Sequence, residues 1–110
     1  MDFVKPANAI IFAEEKVEDA FNSLSADAPL KKSILKAISD LNQNAFCGEK
    51  IKKQLIPKEY IKKYNLKNLY WHKLSKDWRL VYSIFADQVE ILALIIEYFD
   101  HKNYKRRFNY

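Results

Sequence analysis

Arg79 lies in Trp78-Arg79-Leu80-Val81-Tyr82, an aromatic and aliphatic stretch that gives a cation no local reason to be there. A guanidinium is always charged, and its planar fork can hold two oxygens of one phosphate. The other reading of Arg79 is a pair with a sheet carboxylate such as Glu90 or Glu97. His101 is the natural proton-transfer group, because only histidine changes charge near neutrality without perturbation. Its alternative is a hydrogen-bonded turn residue beside Asp100. Glu97 ends the apolar run from Ile91 to Ile96, which marks it as a general base or as the partner of Arg79. His72, next to Trp71, reads as a satisfied strand histidine. The single cysteine, Cys47, can form no internal disulfide, and no Cys/His cluster has zinc spacing. Neither a metal nor a small-molecule cofactor is expected, and one glycine, Gly48, is too few for a Gly-rich phosphate loop.

Charge supports a polyanionic partner. The chain carries a net +5, unevenly placed. Residues 1–45 hold five Lys and seven Asp/Glu, a balance of −2, whereas residues 46–110 hold fourteen Lys/Arg and seven Asp/Glu, a balance of +7. Such asymmetry attracts phosphate and gains from counterion release. A solvated lysine-rich surface would look the same by composition. The run Lys50, Lys52, Lys53, Lys58, Lys62 and Lys63, interleaved with Tyr60 and Tyr64, fits a nucleotide-stacking surface or a short amphipathic helix equally in type, and the helix is favoured. No membrane span is expected, since the longest apolar run, Ile91–Ile96, is far too short. The start, Met1-Asp2-Phe3-Val4-Lys5-Pro6, shows no signal peptide, so a reduced cytoplasmic setting is the default.

These residues need elements to position them. With 110 residues, one domain spanning 1–110 is expected. Ala9–Ala13 reads as a strand. A helix follows from near Glu14, with Val17, Ala20, Phe21 and Leu24 on one face. Pro29 suits the opening turn of a second helix, whose stripe is Leu30, Ile34, Ala37, Ile38, Leu41 and Ala45. The connector from Phe46 to Asn68 is long enough to be partly helical or functional. Three strands then follow: Leu69–Leu74, Trp78–Phe85 and Val89–Phe99, with a break at Ala86-Asp87-Gln88. Period two puts Trp78, Leu80, Tyr82 and Ile84 on the face that the helical hairpin covers, leaving Arg79 on the open side. The strand ending at Phe99 is apolar on both faces until Glu97, as a central strand would be.

The Trp78-Arg79-Leu80-Val81-Tyr82 strand, the apolar strand after it, and Asp100-His101-Lys102-Asn103-Tyr104 resemble the C-terminal half of RelE-type toxins, in the RelE/ParE superfamily. The order strand, two helices, three strands is similar too, although the specific match is confined to residues 69–108. The resemblance implies an α+β, RelE-like fold: a helical hairpin on one face of a mainly antiparallel sheet of about four strands, in the order β-α-α-β-β-β. It implies the toxin of a type II toxin–antitoxin pair, a ribosome-dependent endoribonuclease that cuts mRNA without metal. The expected partners are a cognate antitoxin, mRNA and ribosomal RNA, with no membrane. Relatives of this fold bind DNA gyrase instead, and a degenerate member would bind an antitoxin alone; fold does not choose among them. By resemblance Arg79 contacts the scissile phosphate, His101 moves a proton, Tyr104 stacks on a base or orients the hydroxyl (or packs on the core), and Glu97 lies near the site. Lys50, Lys52, Lys53 and Lys73, with Arg106 and Arg107, would hold RNA. One departure stands out: the final strand lacks the second arginine that some active members use, a place His101 would have to fill.

Overall fold

The computed structural model describes residues 5–86 and 91–108. The first strand, β1 (Ala9–Phe12), is followed by α1 (Glu15–Asn22) and α2 (Pro29–Gln43). Pro29 opens α2, where a missing backbone N–H costs nothing. Ile34, Ala37, Leu41 and Ala45 from the α2 stripe are buried, and Phe21 is buried from α1. They pack on Leu80, Tyr82 and Ile84, with Trp78 partly buried alongside. The hairpin therefore covers the face that period two assigned to it.

The connector is structured. A two-residue strand, β2 (Glu49–Lys50), leads through a turn to a short helix, α3 (Lys58–Tyr64). Asn65 stops α3 in the left-handed region, at φ 55°, a conformation that asparagine tolerates. Glu14 then ties α3 back to the start of α1: its carboxylate accepts from the Tyr64 hydroxyl at 2.7 Å and pairs with Lys63 at 2.7 Å. Strands β3 (Tyr70–Lys73), β4 (Arg79–Ala86) and β5 (Ile91–Phe99) follow, and the chain continues into α4 (His101–Phe108). Asp87-Gln88, Val89 and Glu90 lie outside the described residues.

The class is α+β, but two expectations need correction. Five strands, not about four, form one sheet in the order β1-β5-β4-β3-β2, and β1 runs parallel to β5 while the other pairings are antiparallel. As expected, β5 is interior, between β1 and β4. Secondly, the side of the sheet opposite the hairpin is not open. Tyr60 from α3 and Tyr104 and Phe108 from α4 join Val81, Ile96 and Phe99 in a second core on that side. Asp100 caps α4, its Oδ1 accepting from the Asn103 amide at 2.9 Å, and one helical turn separates Tyr104 from Phe108, which brings both onto the sheet.

A β-bulge decides which side chains meet this second core. Val81 pairs with Glu97 but Tyr82 pairs with Ile95, so Ile96 is the extra residue. Before it, Ala93 and Ile95 face the hairpin core; after it, strict alternation would have sent Glu97 and Phe99 the same way. The bulge shifts the frame by one, so Phe99 lies in the second core and Glu97 meets Tyr60 and Arg107 on that side.

Candidate functional site

Arg79 is the first residue of β4, and its register partners are Lys73 on β3 and Phe99 on β5. Its guanidinium carbon lies 4.2 Å from the centroid of the Trp71 ring and 4.4 Å from that of Tyr104. Trp71 reaches it diagonally across the β3–β4 pair, where long side chains still touch. Tyr104 reaches it from α4 and stacks with Phe108 at 4.5 Å and 15°. The result is a column: Trp71, Arg79, Tyr104, Phe108.

Both rings lie close to the guanidinium and hold it by cation–π attraction, each contact contributing about 0.5–2 kcal/mol. Among the described residues no carboxylate comes within ion-pair distance of Arg79. The expected alternative, a pair with Glu97, does not form, and Glu90 lies outside the described residues. A cation held between aromatic side chains, with no carboxylate partner among the described residues, is suited to a phosphate.

The other candidate residues fall into three groups. Lys73 and Trp71 share the Arg79 face, as does Glu49, the register partner of Trp71; Lys73 is exposed. His101 opens α4 two residues after Phe99 and is exposed, which places it at the same end of the sheet as Arg79. Lys50 pairs with Tyr70, a residue of the hairpin-side core, so it projects on the side of the sheet away from Arg79. Lys52 and Lys53 are exposed in the turn after β2, and Arg106 is exposed on α4.

Glu97 and Arg107 turn out to be partners of each other. The Tyr60 hydroxyl donates to Glu97, and Arg107 Nε lies 3.3 Å from the same carboxylate oxygen. Arg107 also pairs with Glu59 through Nη1. Burial first, and then the Glu97 carboxylate, push the Tyr60 phenol far above its ordinary range, so it stays a donor. This network joins α3, β5 and α4. It engages Glu97 with Arg107 and Tyr60 rather than with Arg79, and it pairs the charge of Arg107 within the chain. Of the alternatives for Tyr104, packing on the core is the one its position fits: it is 1% exposed and lies against Arg79.

His72 is partnered as a strand histidine, with Nε2 3.2 Å from Asp40 Oδ2 and Nδ1 2.8 Å from the Lys73 carbonyl oxygen. Among the described residues no cluster of His, Cys, Asp and Glu has metal-site geometry, and no helix is long and apolar enough to cross a membrane. Sequence reading passed over Trp71 as a site residue. Its signal was available, since position 71 shares strand parity with Lys73 and sits among β-formers just ahead of the arginine strand. Compared with known proteins, the chain matches no protein family, no curated protein and no solved structure.

Proposed function

We propose that this chain is a RelE-like member of the RelE/ParE toxin superfamily, a cytoplasmic endoribonuclease that cuts ribosome-bound mRNA without metal and is held in check by a cognate antitoxin. The observation that carries this reading is the guanidinium of Arg79, held against Trp71 and Tyr104 and matched by no carboxylate among the described residues.

In such a cut the 2′-hydroxyl gives up its proton to solvent water as its oxygen attacks the adjacent phosphorus, and the bond to the 5′-oxygen breaks. The products are a 2′,3′-cyclic phosphate and a 5′-hydroxyl. The transition state carries extra charge on the non-bridging oxygens, and a donor fork already in place stabilises that charge without reorganising. Arg79 holds those oxygens. The departing 5′-oxygen needs a proton, and His101, exposed at the start of α4, is the group to deliver it. Lys73, beside Arg79 in the ladder, adds positive field for the flanking phosphate.

Inducing the protein without its antitoxin should stop growth and leave cuts in ribosome-bound messages, mapped by primer extension. Arg79→Ala and His101→Ala should each reduce cutting by at least about a hundredfold, the scale of losing one oxyanion donor or one proton-transfer group, while circular dichroism stays native. If both variants stay fully toxic, the assignment fails. Growth arrest with broken DNA and intact mRNA would point instead to gyrase.

A further inference from the structure

We propose that the cleft beside Arg79 is a nucleobase subsite, with Trp71 as its stacking wall and Glu49 as the acceptor that reads the base. This rests on the RNA-binding reading above and adds which part of the nucleotide goes where. The cleft measures about 250 Å³ and is lined by Cys47, Gly48, Glu49, Trp71, His72 and Lys73. It exists because β2 is only two residues long: Glu49 and Lys50 pair with Trp71 and Tyr70, leaving the edge of β3 beyond Trp71 without a β2 neighbour.

Register ties this cleft to the arginine. Glu49 is directly opposite Trp71, and Lys73 is directly opposite Arg79, so all four residues belong to one face of the sheet. Trp71 is common to both places: its ring centroid lies 4.2 Å from the Arg79 guanidinium carbon, and it lines the cleft. The position of Glu49 is fixed by its neighbour. The Gly48 amide donates to the Tyr82 hydroxyl at 2.9 Å, and that hydroxyl donates to the Ala45 carbonyl at 3.0 Å. A Cβ at Gly48 would stand 2.6 Å from both the Trp71 carbonyl oxygen and the Tyr82 hydroxyl, so only glycine lets the chain approach this closely.

The chemistry of the lining selects the occupant. A carboxylate in the cleft repels a second phosphate, so the anion belongs on Arg79 and Lys73. What suits the cleft is the neutral, planar part of the same nucleotide, stacked on an aromatic wall and donating to Glu49. Guanine fits that pattern well, because its N1–H and N2–H match the two carboxylate oxygens. Uracil offers one N–H flanked by two carbonyls, which the carboxylate repels.

The chain has two tryptophans, so Trp78→Phe leaves Trp71 as the sole fluorescent reporter. That protein would be titrated with a short guanine-and-adenine oligoribonucleotide, a uridine strand of equal length, and inorganic polyphosphate. The guanine-bearing strand should quench Trp71 and saturate at about tenfold lower concentration than the uridine strand, the scale of one bidentate base contact. Polyphosphate should compete for the protein without producing that quench. Glu49 is exposed, so Glu49→Gln should keep the fold while bringing the two strands within about twofold of each other. Quenching by polyphosphate equal to that by RNA, or a guanine preference untouched by Glu49→Gln, overturns the subsite. The two proposals separate cleanly. Guanine-dependent quenching with no cut messages would leave the subsite standing and remove the nuclease; cutting without any quench would do the reverse.

Discussion

Tyr104 was open to three readings in the sequence: stacking on a base, orienting the hydroxyl, or packing on the core. Its ring lies against Arg79 and Phe108 and is almost wholly buried, as the packing reading would have it. A ring that supports a cation needs its face, not its hydroxyl. Tyr104→Phe should therefore keep RNA cutting within about threefold of the parent, since the cation–π contact survives. Tyr104→Leu keeps an apolar side chain but removes that contact, and should lower cutting about tenfold with the fold preserved. Single-turnover cleavage and circular dichroism on both variants check this; an inactive Phe variant would return the phenol to the chemistry. Glu97 teaches a related lesson. Its acidity amid apolar neighbours was visible in the sequence, but its partner was not, because Tyr60 and Arg107 come from distant stretches of chain.

The β3–β4 connection carries a local strain with a simple remedy. Lys76 and Asp77 adopt positive φ values of 50° and 65°, and the Trp78 amide donates to the Ser75 carbonyl at 3.1 Å, the geometry of a type I′ turn. Side chains other than Asn and Gly adopt that conformation at some cost. Replacing Lys76-Asp77 by Asn-Gly should raise stability by about 0.5–1 kcal/mol, measured as a shift of the urea midpoint at unchanged slope. Elements differed in how much the sequence revealed. The hairpin was legible because Ile34, Ala37, Leu41 and Ala45 repeat at helical spacing. Helix α4 was not, because only Tyr104 and Phe108 are buried in a stretch otherwise made of charged and amide side chains. The bulge was invisible for a different reason: Ile91–Ile96 is apolar throughout and carries no parity to read. Predicting Arg79 on the side away from the hairpin required only period two. Knowing that α3 and α4 would cover that side required the tertiary structure.

At the scale of the whole molecule, acids and bases are not used alike. Several carboxylates are matched internally: Glu14 by Lys63, Asp40 by Lys36 at 2.7 Å, and Glu59 and Glu97 by Arg107. Among the described residues, Lys73 and Arg106 are exposed and have no such carboxylate partner, which directs part of the basic character outward. Tyrosines set a limit on the alkaline side. Burial, chiefly, raises the Tyr60 and Tyr82 phenols well above the ordinary tyrosine value near 10. Above that value the unfolded chain releases protons that the native protein retains, so stability is full below about pH 10 and falls as pH rises further. Each such tyrosine contributes a slope of about 1.4 kcal/mol per pH unit. Urea unfolding at pH 9 and pH 11 should show that loss, and Tyr60→Phe should make the slope shallower. A flat profile across the interval would mean that the phenols are free to ionise in the native fold.

The extra residue in β5 leaves the protein with two reading frames in one strand. Upstream of Ile96, odd-numbered positions answer to the helical hairpin; downstream, they answer to the C-terminal helix and its arginine neighbour. Lineages can lengthen or trim the surface turns at little cost, but a register slip that closed the bulge without removing Ile96 would exchange Glu97 and Phe99 for Tyr98 on the second core and withdraw the side chains that meet Arg107 and Tyr104.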